Sequence, residues 1–278
     1  MQNNAFLDIR SVIRDKNPAL ERYLPNFIIR YLEYILHQNE INRIIASHGH
    51  LSGVEMATFL HGYFDITLRV HHFEQVHPDK RYVFVSNHPL AGLDGVMLLK
   101  VISERFINTK LIVNDLLLNL KPFEDVFIPV NKHGRQSQEY ANQINDTYRS
   151  DAQIIYFPAG LCSRKIKGKI VDPPWKRNVL SKAIKYQRDV VPVFFSGQNS
   201  NFFYRLANLR KHLRIPFNLE MVYLSDEAFN QKGASFDIYF GQPISYQYFT
   251  SDKSRDQWIQ EIRNTVYALP HHQNHTHL

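Results

Sequence analysis

The chain has 278 residues, of which 44% are hydrophobic, so it can form one large domain or one domain with a smaller appendage. Its net charge of +7 suits an anionic membrane surface or an acidic carrier protein, and no helix-turn-helix or zinc-finger pattern supports a nucleic-acid partner. The single cysteine, Cys162, excludes an intrachain disulfide, and no stretch of about 18 apolar residues is present that could span a bilayer.

Residues 1–65 are predicted to form a helical region. Apolar residues recur at helical spacing between Leu20 and Ile35, after the helix-start signal Asn17-Pro18, and two further helices are expected over residues 40–48 and 52–66. The aromatic and basic residues of this region allow an amphipathic helix at a membrane interface. The alternative is an ordinary helical hairpin packed against the main domain.

Residues 66–270 are predicted to form an α/β domain with a mixed, mostly parallel sheet flanked by helices, because strand and helix patterns alternate along them. The expected strands are 67–73, 82–85, 110–113, 126–130, 153–157, 190–196, 218–224 and 235–240. The expected helices are 96–106, 137–149, 176–188, 200–213 and 252–269, with a helical turn over 115–120. Polar, basic loops are expected over 131–135 and 163–169. The histidine-rich residues 271–278 are expected to be a disordered tail, with metal binding as the alternative.

The stretch Tyr82–Met97 carries the residues best suited to chemistry. His88 and Asp94 lie in a short loop between a buried strand and a helix, where active sites of open α/β sheets usually lie. An acid that accepts a hydrogen bond from one imidazole nitrogen makes the other nitrogen more basic. The pair would then act as a dyad in which His88 takes a proton from an alcohol. The alternative is that Asp94 only caps the following helix.

Three later segments follow this stretch: Phe127-Ile128-Pro129, Phe157-Pro158-Ala159-Gly160 and Val190-Val191-Pro192-Val193. Together with Ser86-Asn87-His88-Pro89 and Asp94, they resemble the four sequence blocks of the glycerolipid acyltransferases, the lysophospholipid acyltransferase superfamily. The resemblance covers residues 66–245. It implies an enzyme of lipid biosynthesis that transfers a fatty acyl group from acyl-CoA or acyl carrier protein to the hydroxyl of a lyso-lipid.

The resemblance also implies the roles of the site residues and the place of the reaction. His88 would be the general base and Asp94 the residue that orients it. No metal and no cofactor is expected apart from the acyl thioester co-substrate. The protein would bind peripherally to the cytoplasmic side of the inner membrane.

The sequence departs from the family pattern in the spacing of its histidine and acid. Five residues separate His88 from Asp94, in the pattern HxxxxxD, where the family usually has four. We therefore predict that the loop bulges at Ala91-Gly92 and that the two side chains still lie within hydrogen-bond distance.

The phosphate-binding residues of the family also differ here. Ala159 replaces the usual glutamate of the third block, and the nearest arginine, Arg164, is displaced by two positions. In the second block, Asn131 stands near the usual arginine, with Lys132 and Arg135 beyond it. Since arginine suits phosphate, the displacement of both arginines predicts a different acceptor head group.

The variant NHPLAGLDG with FPAGLCSRK resembles a bacterial subgroup of acyltransferases that acylate the hydroxyl of an N-acyl glycine or ornithine lipid, whose head group carries a carboxylate. Backbone N–H groups near Gly160 are expected to stabilise the oxyanion. The full set of predicted substrate-binding residues is Asn87, Asn131, Lys132, Arg135, Gly160, Arg164 and Lys165.

Several alternatives remain open at this point. Lysophosphatidate is an alternative acceptor, which would make the protein a 1-acylglycerol-3-phosphate acyltransferase. The chain could also be a catalytically inactive lipid- or carrier-binding module, or a hydrolase that activates water. Cys162 could carry the acyl group as a thioester, although a lone cysteine usually only packs. The basic residues of 163–177 are expected either to be a solvated face or to contact anionic head groups or an acidic carrier protein. The basic and aromatic residues of 199–214 suit a membrane interface.

Overall fold

The computed structural model describes residues 7–90, 92–114, 120–130 and 137–271. The strands within these residues are β1 (Thr67–His71), β2 (Tyr82–Ser86), β3 (Thr109–Asn114), β4 (Phe127–Val130), β5 (Gln153–Tyr156), β6 (Arg164–Ile166), β7 (Lys169–Val171), β8 (Asp189–Phe195) and β9 (Ser235–Phe240). The α-helices are α1 (Ile9–Lys16), α2 (Pro18–Tyr23), α3 (Asn26–Ile35), α4 (Gln38–His48), α5 (Gly53–Tyr63), α6 (Leu93–Ser103), α7 (Ser137–Arg149), α8 (Asn178–Lys185), α9 (Asn201–His212), α10 (Leu224–Phe229) and α11 (Arg255–Ala268).

Seven strands form one sheet in the order β1-β9-β8-β2-β5-β3-β4. All neighbouring pairs in this sheet are parallel except β8 and β9. The predicted α/β class with a mixed, mostly parallel sheet is therefore confirmed. Since β2 lies between β5 and β8 and runs parallel to both, the segments that follow these three strands meet at one edge of the sheet.

The central strand β2 explains why its sequence is a continuous apolar run rather than an alternating one. All five of its residues are buried. Tyr82 and Phe84 pack into the core that contains α5 and α6, whereas Val83 and Val85 pack into the core that contains α8 and α11. Because successive side chains point to opposite faces, a strand covered by helices on both sides is apolar throughout.

The N-terminal region is helical, as predicted, but it is divided more finely. Helix α2 ends at Tyr23 and α3 begins at Asn26, because Pro25 between them has no N–H and cannot continue a helix. Met56 and Ala57 of α5 belong to the core of the main sheet. The domain limits 1–65, 66–270 and 271–278 remain predictions. Within the described ranges, none of the helices combines the length and apolar character needed to cross a membrane.

Two predictions of local structure are wrong. The expected strand 218–224 is a 3-10 turn, Leu219–Tyr223, that leads into α10. A short apolar run cannot be assigned to strand or helix by periodicity alone, and here Glu220 of that run turns inward to ion pairs. The expected basic loop 163–169 is a hairpin of β6 and β7. Its turn residues, Lys167 and Gly168, both have positive φ, as a two-residue hairpin turn requires.

Three further predictions lie wholly or largely outside the described residues. These are the helical turn at 115–120, of which only Leu120 is described, the basic loop 131–135, and the tail 271–278, of which only His271 is described.

Candidate active site

His88 and Asp94 are in direct contact beyond the carboxyl end of the central strand β2. His88 Nδ1 lies 2.8 Å from Asp94 Oδ2. The Asp94 side chain is fully buried, whereas 17% of the His88 side chain is exposed. A carboxylate that accepts a hydrogen bond from Nδ1 places the proton there and leaves the Nε2 lone pair for a substrate. The predicted contact between the two side chains is therefore present.

Asp94 also fixes the loop that carries His88. Its Oδ2 accepts the N–H of Leu90 (3.0 Å), and its Oδ1 accepts the N–H of Gly92 (3.1 Å) and of Gly95 (2.9 Å). Asp94 lies in the first turn of α6, whose N-cap residue is Gly92, so the alternative that it only caps this helix does not hold. Gly92 has a φ of +143°, a conformation that glycine adopts far more readily than other residues. Gly92 thus accommodates the extra residue of the loop, and Ala91, the other half of the predicted bulge, lies outside the described residues.

The charges of this pair stabilise each other. Burial alone would lower the pKa of His88, but the negative charge of Asp94 and its hydrogen bond raise that pKa above the ordinary value. Burial alone would raise the pKa of Asp94, but the His88 charge, its hydrogen bond and the loop N–H groups lower it. His88 is therefore a stronger base than a free imidazole.

The third sequence block packs directly on the histidine. The rings of His88 and Phe157 are stacked, with their centroids 4.2 Å apart and their planes 23° apart. Gly95 makes room for this arrangement, because a Cβ there would lie 3.3 Å from the Phe157 ring and 3.0 Å from Leu111. The aromatic face therefore restricts the imidazole to one orientation.

Asp172 is a site residue that sequence reasoning missed. This buried carboxylate accepts the backbone N–H of His88 (3.2 Å), the hydroxyl of Ser163 (2.6 Å) and the indole N–H of Trp175 (2.8 Å). Burial raises its pKa above the ordinary range of an aspartate, although the hydrogen bonds from Ser163 and Trp175 oppose that shift. Asp172 thus ties the His88 backbone to the segment after the third block. The only signal in the sequence was an acid before Pro173-Pro174, which carries no motif.

Asn87 and Gly160, two predicted substrate-binding residues, make structural contacts. The Asn87 amide donates to the Phe195 carbonyl (2.9 Å) and accepts the Phe195 N–H (2.8 Å), so it joins the ends of β2 and β8. The N–H of Gly160 donates to the Phe157 carbonyl (3.0 Å) and is already paired. An oxyanion would therefore have to bind neighbouring N–H groups. Contact of either residue with substrate stays a prediction.

The predicted basic residues are placed differently from one another. Arg164 is largely buried, and its guanidinium donates to the carbonyl of Cys162 (2.8 Å) and to the carboxylate of Glu220 (3.0 Å). Lys165 lies at the surface, where its ammonium donates to Asn201 (3.1 Å). Asn131, Lys132 and Arg135 lie outside the described residues.

Cys162 is not built as a nucleophile. Its side chain is buried, and burial raises the pKa of the thiol to about 11, although the neighbouring Arg164 opposes this. Since the thiolate is the reactive form, such a thiol is inert at neutral pH. Its place is in a small core with Phe203 and Tyr204.

A histidine held by a buried acid at the end of a central parallel strand, with an aromatic residue stacked on it, is the geometry of a general base. The model of the acyltransferase family matches residues 11–274, and the chain belongs to this family. The membership that the four sequence blocks predicted is therefore confirmed.

Two lyso-glycine lipid O-acyltransferases are similar to this chain over almost its whole length. A lyso-glycine lipid O-acyltransferase of Bacteroides thetaiotaomicron is 40% identical over 265 residues, which is 95% of this chain and 97% of that protein. A lyso-glycine lipid O-acyltransferase of Phocaeicola vulgatus is 38% identical over 265 residues, which is 95% of each chain.

A solved structure shows the same fold. The crystal structure of the 1-acyl-sn-glycerophosphate acyltransferase PlsC from Thermotoga maritima matches with a TM-score of 0.50 and 15% identity. The match covers 95% of this chain and 92% of that one, and it concerns the fold alone.

Proposed function

We propose that this protein transfers a fatty acyl group from an acyl thioester to the hydroxyl of a lyso-glycine lipid, with His88 as the general base and Asp94 as the residue that orients it. The observation that carries the proposal is the buried contact between His88 and Asp94 in a chain 40% identical to a lyso-glycine lipid O-acyltransferase.

The reaction follows from the free nitrogen of His88. Nε2 takes the proton of the acceptor hydroxyl as the hydroxyl oxygen attacks the thioester carbonyl carbon. The C–S bond then breaks, the new ester remains on the acceptor, and the leaving thiolate takes the proton from the imidazolium. Asp94 keeps its charge throughout and stabilises the imidazolium that forms in between. This sequence needs no metal and no cofactor apart from the acyl thioester.

The negative charge that develops on the carbonyl oxygen needs donors. With the N–H of Gly160 already paired to Phe157, we assign this role to the N–H groups of Leu161 and Cys162, for which no backbone acceptor is found in the described part of the chain. Both groups belong to the segment that contacts the His88 backbone through Ser163.

The acyl donor is acyl-CoA or acyl carrier protein, both of which present a thioester next to negative charge. The β6–β7 hairpin beside the site carries Lys165, Lys167 and Lys169, a charge complementary to either donor. A comparison of initial rates with the two donors decides between them, and a protein that uses neither would overturn the thioester mechanism.

Peripheral attachment to the cytoplasmic side of the inner membrane is part of the proposal. Phe27 of α3 is 68% exposed, and Tyr23 and Tyr34 beside it are exposed as well. The hydroxyls of Tyr31 and Tyr223 lie 2.9 Å apart and connect this aromatic face to the exposed apolar side of α9. Aromatic and basic residues together suit a bilayer interface.

We expect Phe27→Ser to weaken binding to vesicles that contain anionic lipid by about 10-fold, since burying a phenylalanine ring is worth about 1.5–3 kcal/mol. A vesicle sedimentation assay measures this. The matched control is Ile107→Ser, because Ile107 is also apolar and fully exposed but lies before β3, outside the helices of the N-terminal region. Equal losses in both variants would contradict attachment through α3.

The pH dependence of the reaction tests the role of His88. Its pKa in the folded protein lies above 6.5, and only the neutral form is a base. We therefore expect kcat/KM to rise with pH along a limb whose midpoint lies above 6.5. In Asp94→Asn the carboxylate that raises this pKa is gone while burial remains, so the limb should move to lower pH. A limb at the same pH in both proteins would contradict the assignment.

The acceptor is tested in cells by lipid analysis of a strain that lacks the gene. We expect the mono-acylated glycine lipid to accumulate and its diacylated form to disappear. Accumulation of lysophosphatidate instead would assign the other acceptor, and accumulation of a mono-acylated ornithine lipid would overturn glycine as the head group.

A further inference from the structure

Arg164, Arg210 and Glu220 form a buried cluster of three charges. Glu220 is fully buried and accepts hydrogen bonds from two guanidinium groups, Arg164 through Oε1 (3.0 Å) and Arg210 through Oε2 (2.9 Å). The two arginine side chains are only 13% and 18% exposed. One negative charge therefore faces two positive charges, and the cluster carries a net charge of +1.

The cluster reaches the active site through Arg164. This residue follows Ser163, whose N–H donates to the His88 carbonyl (2.8 Å). The Arg164 guanidinium also donates to the Cys162 carbonyl, so it lies against the segment 160–163, which contacts the His88 backbone. Its positive charge acts on the His88 ring and opposes protonation there. The same positive charge would attract an anionic acceptor head group that binds beside His88.

Stability alone does not explain why a carboxylate is buried at position 220. Burying a carboxylate costs several kcal/mol, and an apolar side chain of similar size often stabilises a core equally well. Arg210 is held further by the Ile215 carbonyl (3.0 Å), and Arg164 by Cys162, so each guanidinium has a second partner besides Glu220. Without Glu220, both guanidinium groups would keep a hydrogen-bond partner, but the net charge of the cluster would be +2 instead of +1.

That charge matches one class of head group. The carboxylate of a glycine lipid carries one negative charge, and a phosphate monoester carries about 1.5 to 2 at neutral pH. A charge taken out of water without a compensating partner is costly, so a cluster of net charge +1 balances the first head group and leaves the second partly uncompensated.

We propose that Glu220 sets the acceptor selectivity of this enzyme: by neutralising one of two buried arginines, it adapts the positive charge near His88 to a singly charged carboxylate and disfavours a phosphate monoester. This inference rests on the proposed function and adds the residue that determines its selectivity. Glu220 is a positioning residue, since it acts through Arg164.

The test is a competition in which lyso-glycine lipid and lysophosphatidate are present in the same vesicles and both products are quantified by mass spectrometry. In Glu220→Gln the cluster gains one positive charge. We expect the ratio of kcat/KM for the glycine lipid to that for lysophosphatidate to fall about 10-fold, the size expected for one charge interaction of about 1.4 kcal/mol. The inhibition of glycine-lipid acylation by lysophosphatidate should strengthen in parallel.

Three variants separate charge from folding. Glu220→Gln with Arg210→Gln returns the cluster to +1 and should restore the ratio towards that of the natural protein. Arg210→Gln alone lowers the cluster to zero and should slow acylation of both acceptors while shifting the ratio further towards the glycine lipid. Glu227→Gln is the matched control, because Glu227 is an equally buried acid of neighbouring α10 that binds Ser200 rather than an arginine.

The outcomes are distinct. If the natural protein acylates the glycine lipid and Glu220→Gln, folded by thermal melting, keeps its ratio, the inference on Glu220 is wrong and the proposed function stands. If Glu220→Gln does not fold, the ratio of Arg210→Gln decides, and an unchanged ratio there also overturns the inference. If the natural protein does not acylate the glycine lipid at all, the proposed function itself fails.

Discussion

Replacing His88 with alanine should lower the rate of acyl transfer about 10²–10⁴-fold, the contribution of a positioned general base. The reason is that no other group takes the proton of the acceptor hydroxyl once Nε2 is removed. The rate is measured with purified protein, an acyl thioester and lyso-glycine lipid in vesicles. Because the proposed membrane contact lies on α3 and not on the loop that carries His88, vesicle binding should stay unchanged, so the loss should appear in kcat.

The chain offers a matched control for this substitution in a second histidine–aspartate pair. His71 Nε2 lies 2.9 Å from Asp237 Oδ1, on the paired strands β1 and β9. Strand β1 is the outermost strand on its side of the sheet, and two strands, β9 and β8, separate it from β2. His71→Ala should therefore retain full activity. Full activity of His88→Ala, or equal losses in the two variants, would overturn the role of His88.

Replacing Asp94 with asparagine should also lower the rate about 10²–10⁴-fold, although the shape of the side chain is kept. An amide nitrogen at the position of Oδ2 would donate to His88 Nδ1 and move the ring proton to Nε2, where it blocks proton transfer. The same nitrogen would face the N–H of Leu90, which now donates to Oδ2. We therefore expect a lower melting temperature as well as a slower reaction.

The two effects of this variant can be separated. The melting temperature, measured by calorimetry, reports the loop contacts, and the rate below the melting transition reports the tautomer. Asp237→Asn is the control, because Asp237 likewise accepts from a histidine but lies on β9. A folded Asp94→Asn protein with the activity of Asp237→Asn would show that Asp94 only shapes its loop.

The sequence predicts the strand β2 and the loop after it well, because the residue composition and the position in the sheet agree there. The run Tyr82–Val85 is apolar throughout and rich in β-branched and aromatic residues, as is typical of a central strand covered on both faces. The loop with His88 and Asp94 follows directly, and its glycine allows the backbone conformation that the longer spacing needs. Local chemistry and topology therefore place the same two residues together.

Asp172 and Glu220 could not be found in the same way. Each acts through contacts with residues far away in the chain, Asp172 with His88 and Glu220 with Arg164. A lone acid in a turn has no periodicity or spacing that marks it as buried. The Glu220 segment was even predicted to be a strand, because its apolar neighbours suit a strand as well as a helix.

The β6–β7 hairpin was missed for a different reason. Its signal, a glycine after a lysine at the turn, lies among basic residues that resemble a solvated loop. The hairpin matters because it carries Arg164 inward to Glu220 while Lys165 stays at the surface. Neighbouring strand residues point to opposite faces, so two basic residues that are adjacent in sequence have different surroundings.

The central claim is that this protein acylates a lyso-glycine lipid with His88 as the general base. One assay tests this claim most directly. Purified protein is incubated with acyl-CoA or acyl carrier protein and with equal amounts of lyso-glycine lipid and lysophosphatidate in vesicles, beside His88→Ala. We predict that mass spectrometry finds diacylated glycine lipid as the main product of the natural protein and almost none from the variant. Phosphatidate as the main product, release of free fatty acid alone, or equal product from both proteins would contradict the account.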